Sequence, residues 1–374
     1  MDLTLTEDQR LITSTARELL DSRAAVAGAR AVAGEAAGYS AKLWKEMTEL
    51  GWTGLAFGEE YGGVGLGFGE LCLVIEELGR ARVPSPLVAT VACCGMPIGD
   101  YGTEDQKSEW LGAIADGQVM TYALGAGGVL ARRGSGGAPR EALGSDPGRS
   151  PGSGDGFVLD GEVPFVPYAD SAARLLVTAR HDGEPIAAVV DTAAPGVSAE
   201  TLDVVGDPMS RVRFANVAVP ADRVLGDGAA AAVTAYGTAA VCAEMAGGAQ
   251  GVLDMTVAYA REREQFGKPV GAFQAVAHHC ADMAIDVLSS RLAAYEAIWR
   301  LAGGLDATME LSLAKSWVSE AYQRVCALGH QVHGAIGFTA EHDLHYFYRH
   351  AMSSALAFGD ADFHVERVAA NLGI

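Results

Sequence analysis

Residues 259–283 read YAREREQFGKPVGAFQAVAHHCADM, and they lie within a helical region that decides the architecture of the chain. From about residue 229 to the end, long runs rich in Ala, Leu and Met follow one another. Glycines interrupt these runs at Gly303-Gly304 and again from Gly334 to Gly337. Helices longer than about 20 residues between such breaks indicate an antiparallel helical bundle.

The first part of the chain, residues 1–117, also shows helical patterns. Thr6 precedes the first helix as an N-cap, and Gln9, three residues later, completes a capping box. The segment KLWKEMTEL is predicted to form a second amphipathic helix, which Gly51 stops. The segment GELCLVIEELGR is predicted to form a third helix that ends at Gly79.

Residues 118–225 have a different pattern. Alternating and β-branched runs, such as GFVLDGEVPFV and RVRFANVAV, are separated by Asp-Gly, Pro-Gly and Asp-Pro turn signals. This pattern predicts a compact all-β domain. Residues 127–156 interrupt it with a stretch dominated by Gly, Ser, Pro and Arg, which predicts a flexible, dispensable surface loop.

The order of the elements therefore predicts three domains, at residues 1–117, 118–225 and 226–374. Helices, then strands, then helices exclude a doubly wound sheet, because such a sheet needs strands and helices in alternation. The Gly-rich strings GGVGLG and GAGG follow no strand-to-helix unit, so they are interpreted as turns or loops rather than dinucleotide-binding loops.

Charge and composition exclude several classes of partner. The 374 residues carry a formal net charge of -20, and 49% of them are hydrophobic. Nucleic acid and anionic membrane both need basic patches, so neither is an expected partner. No uninterrupted apolar run reaches the ~18–20 residues that span a bilayer. The six cysteines include no C-x-x-C pair and are expected to be reduced, in a soluble cytoplasmic protein.

Four strings resemble signatures of the acyl-CoA dehydrogenase family. They are LAFGEEYGGVGLGFGELCLVIEELGR, RVRFANVAVPADRVLG, the opening string YAREREQFGKPVGAFQAVAHHCADM, and QVHGAIGFTAEHDLHYFYRHA. The resemblance implies the acyl-CoA dehydrogenase fold, with an N-terminal α-helical domain, a middle β-barrel-like domain and a C-terminal four-helix bundle. It also implies bound FAD, a tetramer built from dimers, α,β-desaturation of acyl-CoA thioesters, and an electron-transfer flavoprotein as acceptor.

The resemblance also implies which residues meet FAD. Arg263 is always charged and can pair with a pyrophosphate. Phe266, expected one helical turn later, can pack on the flavin or adenine. The alternative for these two residues is a solvated arginine and a core phenylalanine. The family usually has two adjacent glycines where this chain has Gly334 and Ala335. The full implied set is Arg263, Gln265, Phe266, Val270, Phe273, Gln331, Gly334 and Ala335.

The catalytic base of the family is missing from both of its usual positions. The reaction needs a carboxylate that removes the proton α to the thioester. The resemblance places that carboxylate at Phe358 or at Gly237 in this chain. Glu244 lies two helical turns beyond Gly237, about 10 Å along the same helix face. Glu244 is one candidate base, with a buried and satisfied carboxylate as the alternative, and Asp360 is a weaker candidate.

Other departures concern the contacts that a subunit makes with its own flavin. The family segment Thr-Glu-Pro-Gly-Ala-Gly-Ser is replaced by residues 122–127, and its Trp-Ile-Thr strand by Phe165-Val166-Pro167. The arginine that helps to hold CoA is Thr238 here. The contacts lent to a neighbouring subunit are largely kept. The simplest hypothesis is therefore a heterotetramer with a homologous catalytic subunit, whose FAD site this chain completes.

Three alternatives stay open at this stage. A homotetrameric, self-sufficient flavoenzyme would use Glu244 or Asp360 as base. A structural paralogue would bind no flavin at all. Four histidines also suggest a metal site, because residues three apart share a helix face, but no Cys or carboxylate set completes it. They are His330, His333, His342 and His345.

Overall fold

The computed structural model describes residues 4–125, 127–133 and 156–374, and it has the predicted order of helices, sheet and helices. The N-terminal region packs helices around a large apolar core that continues into the C-terminal helices. A wide, π-type helical segment, Val88–Gly95, leads directly into α5. The helices of this region are α1 (Glu7–Ala27), α2 (Ala29–Val32), α3 (Ala41–Glu49), α4 (Phe68–Ala81), α5 (Met96–Tyr101) and α6 (Glu104–Ala115).

The local sequence signals of this region are largely confirmed. The backbone N–H of Gln9 donates to Thr6 Oγ1 at 3.2 Å, and the N–H of Thr6 donates to Gln9 Oε1 at 3.0 Å, which is the predicted capping box. Helix α4 runs to Ala81, two residues past the predicted end at Gly79. It stops there because Arg82 adopts a left-handed conformation with φ 46°.

The middle region is a seven-stranded sheet with its own apolar core. The strand order is β1-β4-β2-β3-β7-β6, and β5 pairs with β4. The strands are β1 (Met120–Leu124), β2 (Val129–Arg133), β3 (Phe157–Pro167), β4 (Arg174–His181), β5 (Glu184–Asp191), β6 (Val197–Leu202) and β7 (Met209–Val219).

The prediction of a flexible loop over residues 127–156 is wrong for its first part. Val129–Arg133 form strand β2, which pairs antiparallel with β3 and touches β4. Within β2, Val129 and Ala131 point into the sheet core and alternate with exposed residues, a short pattern that the Gly-rich flanks obscure in the sequence. The remainder of that predicted loop, residues 134–155, lies outside the described residues.

The C-terminal region is built from long helices, as predicted. The breaks at Gly303-Gly304 and from Gly334 to Gly337 are confirmed, since α8 and α9 end immediately before them. A short hairpin, with two residues in each strand, separates α7 from α8. The elements are α7 (Ala229–Glu262), β8 (Glu264–Gln265), β9 (Lys268–Pro269), α8 (Gln274–Ala302), α9 (Thr308–His333), α10 (Leu344–Leu356) and α11 (Ala361–Leu372).

Helix α7 runs through the centre of the molecule. It lies close against α4 because glycines face the neighbouring backbone. A Cβ on Gly247 would lie 1.8 Å from the carbonyl oxygen of Glu76, and one on Gly79 would lie 2.0 Å from that of Glu244. By length and mean hydropathy α7 could cross a bilayer, but 72% of its most apolar window is buried inside the fold. The glycines thus fix the position of the α7 residues that face the site.

Candidate functional site

The two positions at which the resemblance places a catalytic base meet in space. Phe358 follows α10 in a left-handed conformation with φ 59°, and its ring lies on Gly237 of α7. A Cβ on Gly237 would lie 2.3 Å from the Cζ atom of Phe358. The ring also contacts Tyr122 of β1, with centroids 5.3 Å apart and ring planes at 33°. Two aromatic rings therefore occupy the region where the chemistry would need a carboxylate.

Glu244 lies in a small chamber behind these rings. The chamber has a volume of about 80 Å³, and Asp207 and His350 line it together with Glu244. The Oε2 atom of Glu244 is 3.6 Å from Nε2 of His350, whose side chain is 4% exposed. The hydroxyl of Tyr322 is 3.4 Å from Nδ1 of the same histidine. Glu244 thus has a charged or polar partner inside the fold, as the structural alternative expects.

Asp207, the other carboxylate that lines this chamber, pairs with Arg82. Its Oδ1 atom accepts from Arg82 Nη2 at 2.6 Å, and the arginine side chain is only 6% exposed. Burial acts to raise the pKa of Asp207, but the positive charges of Arg82 and His350 outweigh it and lower that pKa. The chamber is therefore an internally paired polar cluster.

Asp360 has a structural role in the described chain. It is exposed, and its carboxylate accepts from the backbone N–H of Phe363 at 2.9 Å. This contact makes Asp360 the N-cap of α11. Asp360 does not line the chamber or the cleft described next.

An apolar cleft lies on the other side of the two rings, between the sheet and α10. We call it the outer cleft; its volume is about 590 Å³, within the range of small-molecule sites. Among the residues that the structure describes, no charged side chain lines it, and the polar side chains in its lining are those of Tyr122 and Ser353. The lining is Tyr122, Leu124, Val163, Pro164, Phe165, Val166, Val204, Val205, Met209, Met352, Ser353, Leu356, Ala357 and Phe358.

The outer cleft brings together the two segments that the resemblance assigns to a subunit's own flavin. Residues 122–124 come from β1 and Phe165-Val166 from β3. The backbone N–H of Gly125 lies near both Thr178 O and Thr178 Oγ1, each at 3.0 Å, so it is used within the sheet. The predicted segment also includes Ala126, which lies outside the described residues. A flavin ring buried here would leave polar atoms without partners, which is costly.

The predicted FAD residues around Phe266 lie on a projecting hairpin, and not on one helix turn as the spacing suggested. Arg263 is extended and ends α7, and its carbonyl accepts from the N–H of Val270 at 2.7 Å. Phe266 and Gly267 form the turn, with φ 55° and 78°. Both values are positive, as a type I′ turn requires, and a phenylalanine in that conformation is strained. Its side chain is 93% exposed.

The hairpin presents unpaired groups to its surroundings. Among the described residues, the Arg263 guanidinium makes no ion pair or hydrogen bond. Within the described part of the chain, the side-chain amide of Gln265 donates only to the adjacent carbonyl of Glu264, at 2.7 Å. Phe273 packs edge-on to Phe266, with ring centroids 6.1 Å apart. The arrangement fits a surface that meets another molecule.

The second predicted group lies at the end of α9. Gln331, Gly334 and Ala335 are all exposed. Gly334 has φ 63° and ψ -141°, a conformation that glycine adopts without strain, and a Cβ on it would meet no atom within 4 Å. Ala335 lies in a regular 3₁₀ turn, so its methyl group does not strain the backbone.

The end of α7, which leads into the hairpin, contacts the end of α9, where the second predicted group lies. Tyr259, four residues before Arg263, stacks on the ring of His333 with centroids 4.5 Å apart. The hydroxyl of Tyr259 donates to the carbonyl of His333 at 3.4 Å. We call the hairpin residues 263–273 together with residues 331–335 the lent surface.

Two family models match the chain. The model described as the acyl-CoA dehydrogenase N-terminal domain matches residues 6–118, and the one for the C-terminal domain matches residues 226–373. Acyl-CoA dehydrogenase FadE28 of Mycobacterium tuberculosis is 31% identical, over 82% of this chain and 85% of that protein. The chain belongs to the acyl-CoA dehydrogenase family.

Solved structures of this family have the same fold. The ChsE4-ChsE5 complex from Mycobacterium tuberculosis superposes with a TM-score of 0.87 at 26% identity, covering 100% of this chain and 99% of that one. A steroid ACAD, Tcur3481-Tcur3483, gives a TM-score of 0.86 at 30% identity, covering 99% of each chain. These comparisons confirm the predicted acyl-CoA dehydrogenase fold and place the chain among oxidoreductases.

FAD, the cofactor of the acyl-CoA dehydrogenase family, fits one of the two surfaces described above. The lent surface offers a free guanidinium, an exposed aromatic ring and an exposed glycine turn, which suit a pyrophosphate and an aromatic ring system. The outer cleft does not fit, because its lining offers few hydrogen-bonding groups. Thr238, at the position of the CoA-binding arginine, is 2% exposed and donates to Thr234 O at 2.7 Å.

The four histidines of the metal hypothesis cluster beneath the turn of the lent surface. The rings of His333 and His342 have centroids 4.7 Å apart. Nδ1 of His333 donates to Gly329 O at 2.8 Å, and Nδ1 of His342 accepts from Leu344 N at 3.2 Å. Burial lowers the pKa of all four. In the part of the chain that the structure describes, no group of three or more His, Cys, Asp or Glu is placed to hold a metal.

His364 of α11 gives the chain an acid-sensitive element that can be tested. Burial lowers the pKa of His364 to about 4. Between pH 6.5 and 4 the unfolded chain therefore binds a proton that the folded chain does not, so folding stability falls as the pH falls. The loss is up to about 1.4 kcal/mol per pH unit. We expect the urea concentration at the midpoint of unfolding to fall less between pH 7 and pH 5 in His364→Gln than in the natural chain.

Urea unfolding at the two pH values measures this difference. All other side chains are the same in the two proteins, so the difference between them isolates His364. An equal loss of stability in both proteins would contradict the assignment.

Proposed function

We propose that this chain is one subunit of a two-chain acyl-CoA dehydrogenase and that its lent surface completes the FAD site of a homologous, base-bearing partner. The observation that carries the proposal is the contrast between its two surfaces. The lent surface keeps the free Arg263 side chain, the exposed Phe266 ring and the Gly334 turn. The outer cleft has lost polar groups and holds the Phe358 ring where a base is needed.

The chemistry of the proposed complex divides between the chains. The partner's carboxylate removes the proton α to the thioester of an acyl-CoA. FAD, when bound, supplies the acceptor for the β-hydride. This chain contributes orientation: the Arg263 guanidinium pairs with a phosphate group, and the Phe266 ring packs against an aromatic ring of the cofactor. An electron-transfer flavoprotein is the proposed acceptor of the electrons.

An exposed apolar stripe supports assembly into an oligomer. It follows the outer face of α8, with the spacing of three and four residues that places side chains on one side of a helix. A stripe of this kind marks an interaction surface. Its residues are Ile285, Leu288, Leu292 and Trp299, with exposed fractions of 61%, 60%, 42% and 47%. A tetramer, built with the homologous partner, is the proposed assembly.

A second candidate is a self-sufficient enzyme that uses Glu244 as its base. The observation in its favour is that Glu244 lies beside the outer cleft and within 3.6 Å of His350, an acid–base pair. This candidate requires a path from the cleft to the carboxylate, which the rings of Tyr122 and Phe358 occupy.

Desaturation assays with an artificial electron acceptor test the proposal. The chain is purified alone and also after co-expression with a family member that carries a carboxylate at the Phe358 or Gly237 position. We expect the chain alone to be at least about 100-fold less active than the pair, since a positioned general base contributes at least that factor. Comparable activity of the chain alone would overturn the proposal and favour the second candidate.

A further inference from the structure

We infer that Lys315 and His364 are positioning residues that hold the Phe358 ring, with Tyr122, as a wall between the outer cleft and the Glu244 chamber. Five residues line both spaces: Tyr122, Met209, Ser353, Ala357 and Phe358. A group bound in the outer cleft therefore meets aromatic carbon, while the carboxylates of Glu244 and Asp207 stay on the far side.

The conformation of Phe358 needs support from its surroundings. A phenylalanine with φ 59° is strained, because its Cβ approaches its own backbone. The next residue, Gly359, has φ 104°, so two consecutive left-handed residues form the turn. Such a turn persists only where the neighbouring structure fixes it.

Lys315 of α9 fixes the turn from one side. The residue is fully buried, at 0% exposure. Its ammonium group donates to Ala355 O at 2.8 Å, to Gly359 O at 3.0 Å and to Ser319 Oγ at 3.0 Å. All three N–H donors of the ammonium group thus have partners, and two of those partners lie on either side of Phe358.

His364 fixes the turn from the other side. It is 3% exposed, and its Nε2 atom lies 3.1 Å from the carbonyl oxygen of Phe358. A carbonyl only accepts, so Nε2 carries the hydrogen. The three carbonyls around the ring, at residues 355, 358 and 359, are therefore all held by buried cationic or imidazole donors.

The wall defines what the outer cleft can accept. The described lining offers a ligand apolar carbon and no charged side chain, so a neutral apolar group suits it. From the outer cleft, the way to Glu244 passes the Phe358 ring, which rests on Gly237 because glycine has no side chain there. The wall thus explains how a carboxylate can lie next to the cleft without serving as its base.

Labelling with dicyclohexylcarbodiimide, an apolar carboxyl reagent, tests the wall. A protonated carboxyl adds across one C=N bond of the reagent, and the O-acylisourea rearranges to a stable N-acylurea that retains all atoms of both reactants. Peptide mass spectrometry then gives a rate for each carboxyl. We expect slow labelling of Glu244 in the natural full-length chain and labelling at least about tenfold faster in Phe358→Ala, because the path from the cleft is open.

Matched variants distinguish the loss of the wall from a general loosening of the fold. Phe165→Ala also removes a phenyl ring from the lining of the outer cleft, but that ring is not part of the wall. Glu244 should therefore label at the same rate as in the natural chain. His364→Leu removes the donor to the Phe358 carbonyl and should accelerate labelling, whereas His364→Gln keeps an N–H donor and should not. Lys315→Met should also accelerate it. The buried Glu77, whose side chain is 4% exposed, reports general unfolding and should stay unlabelled throughout.

Two results would overturn the inference. One is fast labelling of Glu244 in the natural chain, at the rate of the exposed Asp360. The other is an unchanged Glu244 rate in both Phe358→Ala and His364→Leu. If Lys315→Met does not fold, the comparison of His364→Leu with His364→Gln still tests whether a donor to the Phe358 carbonyl keeps the wall in place. The assay needs neither flavin nor a partner chain, so its failure is distinct from failure of the proposed function.

Discussion

Replacing Arg263 by alanine is expected to weaken FAD binding by the two-chain complex by about 10- to 150-fold. The guanidinium is exposed at the base of the β8–β9 hairpin and has no partner among the described residues, so it is free to pair with a phosphate. Losing one charge-assisted hydrogen bond costs roughly 1.5–3 kcal/mol, which corresponds to that change in affinity. Fluorescence titration of the flavin-free complex with FAD measures it.

Arg261 supplies the matched control for this prediction. It is also an exposed arginine near the end of α7, two residues earlier, and it has no role in the proposed contact. Arg261→Ala makes the same change in charge and should leave FAD affinity unchanged. The melting temperature of the flavin-free complex should be the same in both variants, because neither side chain is buried. Equal FAD affinity in Arg263→Ala and the natural complex would remove Arg263 from the site.

Turnover of the two-chain complex is expected to depend on the partner's carboxylate and not on Glu244. Replacing the partner's base by its amide should lower turnover by at least about 100-fold, the low end of what a general base contributes. Glu244→Gln should leave turnover within about twofold, because Glu244 lies behind the ring of Phe358 and takes no proton from the substrate. Steady-state desaturation with an artificial acceptor provides both values.

Asp360 needs a separate control, since it is the weaker of the two candidate bases. Asp360→Asn keeps the N-cap of α11, because asparagine caps a helix about as well as aspartate. Turnover should therefore be unchanged and stability nearly so. A loss of about 100-fold in Glu244→Gln or in Asp360→Asn would identify that residue as a base of this chain.

The fold was predictable from the sequence because the signals that specify it are local. The capping box of Thr6, the breaks at Gly303-Gly304 and the alternation in β7 each depend on neighbouring residues. Strand β2 was missed because its five residues lie between Gly-rich flanks and depend on pairing with β3. The hairpin at Phe266 was missed because φ 55° is rare for phenylalanine, so the spacing suggested a helix.

The candidate site was predictable only where the family resemblance supplied positions. The resemblance placed Gly237 and Phe358 at the positions of the missing base. It did not predict that the ring of Phe358 rests on Gly237. That contact joins residues about 120 positions apart, and no local pattern encodes it. Lys315 and His364 gave no sequence signal as partners of Phe358, because a buried lysine and histidine look like surface residues of amphipathic helices.

The flavin content of the purified proteins tests the central claim most directly. The chain is isolated alone and with its base-bearing partner, and FAD is quantified by absorbance after denaturation. The account predicts colourless protein when the chain is alone and one FAD for each partner chain in the complex, with none held in the outer cleft of this chain. One FAD for every chain, or a yellow protein when this chain is purified alone, would contradict it.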